Sequence, residues 1–432
     1  MASTIVSEIS RHDVEEIQTP SSASITNVNH LSSYNWIEAP TPTIAVPGSP
    51  DVWSPPRGTQ QLKKDSGLVY IAQNAARHPD SPLEPLFRSL YLTHPSYDIQ
   101  KVNVVTDRNN IRKLLSFINP GSSKFVLEEF TIRVEINKNT AIFCRDEAVT
   151  QEFIGPAEFK GFGHEFEKRY TKHQINGSTG HHRIISYRFG YLNFIVRYEN
   201  DGYVDVDAKT TSSSTIREAA DNILSDALES LSISASDTRP TTKPLGSKLS
   251  ILEQGRVIPL ASTLEIKTRV MHRPLGFPEV APQLWASQTP KLVRAYHQKG
   301  KFEQPQVENV EVQIKMWERG NQRDLRKLHG LIEKIVSVVK ACGGRGVVNY
   351  KAEGDKLVVR KCDKDMPRML PNDLYLKWDN TDTDEAKLKE ESLSSIKPDV
   401  GTENKIRKAS IAGAGATNGE TVKKHPSDKC LK

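Results

Sequence analysis

The chain has 432 residues, 37% of them hydrophobic and 26% charged, with 25 prolines, which is room for one large domain or two ordinary ones plus unfolded extensions. Its 59 basic and 53 acidic residues leave a formal charge of +6, a mild excess that permits a polyanionic partner without demanding one. Cys144, Cys342, Cys362 and Cys430 stand far apart with no CxxC or paired-histidine spacing, so neither a disulfide framework nor a zinc site is indicated and a reducing compartment is the plain expectation.

Residues 1–66 are rich in Ser, Thr and Pro and are expected to be a disordered tail. Within it, Trp36, Ile37, Ile44, Val46 and Trp53 alternate with prolines and suggest an extended strap. The start MASTIVSEIS lacks a basic run followed by an apolar one, and no stretch approaches the ~20 apolar residues of a membrane helix, so no membrane role is expected. Globular patterning begins near Gly67. PLFRSLYL (85–92) predicts a short helix and VNVVTD (102–107) a strand. FTIRVEI (130–136) alternates Phe130, Ile132, Val134 and Ile136 with the period of two of a half-buried strand, and TAIFCR (140–145) is its hairpin partner. HEFEKRYTKH (164–173) reads as a polar helix, and HRIISYRF with YLNFIVRYE, split by Gly190, as a second hairpin. Residues 208–250 read as a low-complexity Ser/Thr-rich insertion with one amphipathic helix at about 214–231. Leu325, Leu328, Leu331, Ile332, Ile335, Val338 and Val339 fall on one face of a helix at 323–341. Residues 380–432 are charged, poor in aromatics and expected to be disordered. The fold class expected is α+β: a single mixed-sheet domain over 67–379 with flanking helices and disordered termini.

The stretch FIVRYENDGYVDVD (194–207) is an apolar strand that turns acidic at Glu199 and Asp201. Carboxylates at the end of a buried strand either face water or hold a cation. In STLEIKTRV (262–270), Glu265 and Lys267 flank Ile266, and residues i and i+2 of a strand share a face. Two such strand ends bring three carboxylates and an ammonium together, and a divalent, oxygen-ligated cation such as Mg²⁺ or Mn²⁺ relieves their repulsion. The bland alternatives are a solvated strand end for Glu199 and Asp201 and a surface ion pair for Glu265 and Lys267, worth about 0–1 kcal/mol. His181 and His182 in GSTGHHRI read as plain surface.

An acid followed by E-x-K on adjacent strands resembles the PD-(D/E)XK nuclease superfamily. Further segments sharpen this. GHEFE (163–167) resembles the G-h-x-h-E element of the DXO-type decapping nucleases, VVTDRNNIRKLL (104–115) their arginine-bearing segment, and QLWASQTPKLVRAY (283–296) the glutamine-bearing helix after E-x-K, with Gln288 the alternative to Gln283. The order Arg108, Glu167, Glu199/Asp201, Glu265/Lys267, Gln283 is that family's order, across about residues 85–360. Asn109 stands where the family has glycine, and Asn200 where it has an apolar residue.

The resemblance implies a PD-(D/E)XK-like core. It also implies Mg²⁺ or Mn²⁺ on Glu167, Asp201 and Glu265 with Glu199 reaching the ion through water, Lys267 and Gln283 positioning the attacking water, and Arg108 on a phosphate. The expected activity is metal-dependent hydrolysis at RNA 5′ ends (decapping, pyrophosphohydrolysis or 5′-3′ trimming), with a 5′-3′ exoribonuclease as a partner and a place in the nucleus or cytoplasm. The rivals are an inactive RNA- or protein-binding scaffold of the same fold and a DNA nuclease of the same superfamily. SYNWIEAPTPTIAVPGSPDVWSPP also resembles a fungal group labelled geranylgeranyl diphosphate synthase-like, but the paired D-D-x-x-D motifs of prenyl synthases are absent.

Overall fold

Residues 25–48 build two interior strands of a sheet. In the computed structural model, which describes residues 4–122, 127–205, 241–363 and 365–379, strand β1 (Ile25–Ile37) pairs antiparallel with β2 (Thr43–Gly48) on one side and with β4 (Ser178–Phe189) on the other. Tyr34, Trp36, Ile44 and Val46 are buried among Leu86, Phe87 and Leu90 of the helix Glu84–Thr93. This corrects the expected disordered tail and strap of residues 1–66. The polar residues that suggest disorder are buried with their bonds made: Ser32 Oγ donates to the Ser89 carbonyl (2.9 Å), Ser33 Oγ to Pro47 (2.7 Å) and Asn35 Nδ2 to Ser49 (2.9 Å). A strand flanked on both edges satisfies its backbone completely, so a Ser/Asn-rich composition does not force it into water.

The sheet continues from β4 through β5 (Leu192–Glu199), an antiparallel neighbour, to β3 (Val104–Asp107), which runs parallel to β5. Among the described residues it has twelve strands, and at this edge it ends in the hairpin Arg345–Lys351/Lys356–Lys361 and the strand Ile5–Ser10. Helix α1 (Arg108–Ile118) leaves β3 directly, with Ile111, Leu114, Leu115 and Phe117 buried. The amphipathic helix lies at Gln322–Ala341, starting one position before the expected 323, and buries Leu325, Leu328, Leu331, Ile332, Ile335 and Val339 against the same core.

A second, eight-stranded sheet holds β6 (Gly202–Tyr203), antiparallel to β7 (Thr263–Val270), and β8 (Lys291–Gln298), parallel to β7. Two helices serve it: α2 (Gly163–Tyr170), whose Phe166 and Tyr170 are fully buried, and α3 (Phe277–Ser287), which leads into β8. The described residues form one compact unit, of mixed α+β class and not the all-helical bundle of a prenyl synthase. Of the expected insertion, residues 241–250 are described: Leu249 is buried and Ser250 opens the strand Ser250–Gly255. The helix expected at 214–231 and the tail 380–432 lie outside the described residues. No described helix is long and apolar enough to cross a membrane.

Candidate functional site

The chain passes from one sheet to the other between Glu199, the last residue of β5, and Gly202, the first of β6. Glu199 and Asp201 therefore do not share one strand face, as the i, i+2 relation predicts. Asn200 breaks the strand: its N–H donates to the His181 carbonyl (2.9 Å) and its Nδ2 to Gly202 (2.8 Å). Asp201 is then carried over to β7, where its Oδ2 accepts the Ile266 N–H at 2.7 Å.

On β7, Leu264 and Ile266 pack into the core with Phe166 and Val293, so Glu265 and Lys267 share the opposite face. Glu265 is 1% exposed. Its Oε1 accepts from Lys267 Nζ and from Gln283 Nε2, and its Oε2 from Arg108 Nη1 at 3.0 Å. Arg108 opens α1 and lies over the Tyr198 ring, its Cζ 5.4 Å from the centroid. Gln283 projects from α3, whose Val280, Ala281, Leu284 and Trp285 are buried. Gln288, the alternative, caps that helix in a left-handed conformation and bonds the Trp285 carbonyl at 2.6 Å. Glu167 projects from α2 beside its buried Phe166 and lines a cleft of about 450 Å³ together with Glu199, Asp201 and His164. The structure thus brings all seven predicted side chains to one locality.

The charges there are unequal. Burial would raise the Glu265 carboxyl, but Lys267 and Arg108 outweigh it and hold the pKa at about 2. Lys267 is desolvated, yet Glu265 and Asp201 keep its pKa above the ordinary lysine value. Asp201 goes the other way: burial and the neighbouring Glu265 push it up to about 7, against Lys267 and the Ile266 amide. Burial and Asp201 raise Glu167 well above the usual carboxylate range, and burial raises Glu199 against the pull of Arg108. Glu167 and Asp201 are therefore acids in want of positive charge, whereas Glu265 already has it. Among the described residues no three acidic, histidine or cysteine groups form a ready-made cage for an ion. Both Glu265 oxygens and one Asp201 oxygen accept hydrogen bonds from the protein.

Several residues of the locality carry no signal in the sequence. His181 and His182, expected at the surface, are buried in β4; His182 Nε2 bonds Gln73 Oε1 (2.9 Å) and His181 Nδ1 bonds Asn35 Oδ1 (2.8 Å). Arg197 is fully buried and paired through Nε and Nη2 with both oxygens of Asp107 (2.7 and 3.0 Å). Arg112, one turn after Arg108, faces a second cavity beside Glu199.

Residues 3–374 match a family described as Domain of unknown function (DUF8563). The chain belongs to the DUF8563 family. No curated relative matches the sequence. Among solved structures, this DUF8563 chain is similar to Rai1 of S. pombe (14% identity, 83% of this chain and 99% of that one, TM-score 0.50). It is also similar to Rai1 of Scheffersomyces stipitis in complex with (3'-NADP)+ and calcium ion (12% identity, 84% of this chain and 97% of that one, TM-score 0.51). The fold is that of the DXO-type decapping enzymes, as the ordered motif string implies.

Proposed function

We propose that this protein hydrolyses phosphodiester or phosphoanhydride bonds at the 5′ ends of RNA with the help of a divalent cation. The observation that carries the reading is the meeting of Glu167, Glu199 and Asp201 with the Glu265–Lys267 pair where the chain crosses between sheets. The donor set fits the cation: hard carboxylate oxygens on four side chains, three of which, Glu167, Glu199 and Asp201, have pKa values raised by burial and by neighbouring carboxylates. Glu167, Asp201 and Glu265 would hold Mg²⁺ or Mn²⁺, with Glu199 reaching it through water. When bound, the ion supplies Lewis acidity and a more acidic water.

The chain's own groups do the rest. Lys267 and Gln283, both donors to the same Glu265 oxygen, are placed to orient a water beside the scissile phosphorus. Arg108 offers the rest of its guanidinium fork to a phosphate oxygen, where fixed positive charge stabilises the transition state. Glu265 Oε1 already accepts twice, whereas Oε2 accepts only from Arg108 and keeps a lone pair for an ion. The calcium ion accompanying (3'-NADP)+ in the S. stipitis protein supports a divalent cation and a nucleotide ligand in this fold. An exoribonuclease partner in the nucleus or cytoplasm belongs to the same proposal.

The engagement of Glu265 favours a second reading, a scaffold of the same fold that binds RNA without cutting it. RNAs bearing a 5′ monophosphate, triphosphate or cap, incubated with the full chain in Mg²⁺ or Mn²⁺, decide between the two. Release of 5′ products that stops in EDTA and in the Glu265→Ala/Lys267→Ala variant supports hydrolysis. RNA binding without any metal-dependent product overturns it in favour of the scaffold, and equal cutting of DNA overturns the RNA assignment.

A further inference from the structure

Outside the two large sheets, Gly67–Tyr70 runs antiparallel to Gln151–Ile154 as a two-stranded ribbon, with Leu68 opposite Phe153 and Tyr70 opposite Gln151. Facing and alternate residues of such a pair share a side. One side carries Ile154, which is buried, and Val69, which is half-buried. The other carries Leu68, Tyr70, Gln151 and Phe153 and lies open: Leu68 is 52% and Phe153 72% exposed. A large apolar side chain turned to water on a rigid element marks a surface that something else covers.

The position of the ribbon restricts that occupant. Leu68 and Tyr70 line the same cleft as Glu167, Glu199 and Asp201. Asp65, just before the ribbon, accepts the Glu165 N–H at 2.9 Å and donates its own N–H to the Gly161 carbonyl, which braces the ribbon on α2, the helix that bears Glu167. At its other end the Ile71 and Ala72 amides both donate to the Thr150 carbonyl at 2.9 Å. The open side is thus fixed beside the acids. Its chemistry suits flat partners: the Arg77 guanidinium already lies over the Tyr70 ring, Cζ 5.1 Å from the centroid, and is neutralised by Glu38. Phe153 stands diagonally across from Tyr70, about 7 Å away in an antiparallel pair. Two rings so placed on one side of a sheet stack successive bases of an unpaired strand. Four side chains on two short strands are too few for a stable protein interface, which covers ~800 Å² per partner.

We propose that this ribbon is a stacking platform for nucleobases, on which Phe153 and Tyr70 each take the face of one base of a single-stranded polynucleotide whose reacting end lies in the cleft. The inference rests on the function proposed above for the nature of the strand; the platform adds unpaired bases, of any sequence, as a condition on the substrate. Its test needs no cleavage. Anisotropy of a 3′-labelled uridine decamer is measured with the full chain in EDTA and compared with a decamer of equal charge built from abasic residues. The wild type binds the uridine strand about tenfold tighter or more, and Phe153→Ala removes most of that difference while leaving the abasic affinity and the melting temperature unchanged. Phe153→Trp keeps the preference, and its added indole fluorescence is quenched by the uridine strand and not by the abasic one, a signature of stacking that a merely structural role would not give. Equal affinities in the wild type, no binding of either strand, or an undiminished preference in Phe153→Ala overturn the proposal. Self-association in sedimentation that Phe153→Ala abolishes also overturns it, since the ribbon would then serve a protein surface. A base preference without metal-dependent products would sink the hydrolase and spare the platform; metal-dependent cleavage without the preference would do the reverse.

Discussion

At the scale of single residues, the site is governed by which carboxylate has a cation. Glu265 has Arg108, Lys267 and Gln283, so Lys267→Ala leaves it two partners and the fold intact. That variant is expected to lose at least about 100-fold in turnover, the usual cost of removing one donor aimed at the reacting group, with a melting temperature within a few degrees of the wild type. Turnover unchanged in Lys267→Ala would remove Lys267 from the mechanism. Asp201 gives a pH test whose sign follows from its pKa of about 7 against an ordinary 3.8. Between these values the folded metal-free chain holds a proton that the unfolded chain has lost, so ionisation costs stability progressively from about pH 4 and fully above pH 7. Asp201→Asn should therefore melt higher than the wild type in EDTA, by a margin that widens from pH 5 to pH 7 and levels off near pH 8. A margin constant over that range would show that Asp201 titrates normally.

At the scale of elements, β1 and β2 are structural members of the main sheet. Removing residues 1–66 takes away the neighbour of β4 and the buried Tyr34, Trp36, Ile44 and Val46. A 67–432 fragment should fail to unfold cooperatively by circular dichroism; a sharp melt would contradict the pairing. What is legible in the sequence follows from where the determining partner lies. The stripe Leu325 to Val339 and the alternation around Ile266 are set within one element, so periodicity reveals both. The distant Glu167, Glu199 and Gln283 are placed by the ordered motif string, since no local rule joins them. Arg197 and Asp107 are illegible because their pairing crosses the β5–β3 edge, and Arg112 because an arginine declares itself only once the carboxylates around it are counted. The polar strand β1 is misread for a related reason: Ser32, Ser33 and Asn35 look solvated until the carbonyls that accept from them are seen.

At the scale of the whole molecule, a cation bound only by the native state stabilises it by mass action, about 2.7 kcal/mol at 100 times the dissociation constant. Mg²⁺ or Mn²⁺ should thus raise the melting temperature by a few degrees, reversibly in EDTA, and Glu167→Ala/Asp201→Ala should abolish the response. A rise that persists in the double variant would place the ion elsewhere. The crossing at Asn200 extends the effect beyond the cleft. Because Glu199 terminates one slab of strands and Asp201 immediately precedes the first strand residue of the other, whatever clamps both acids also bolts the slabs together, and occupancy of the centre should slow hydrogen exchange at amides in strands that never touch the ligand.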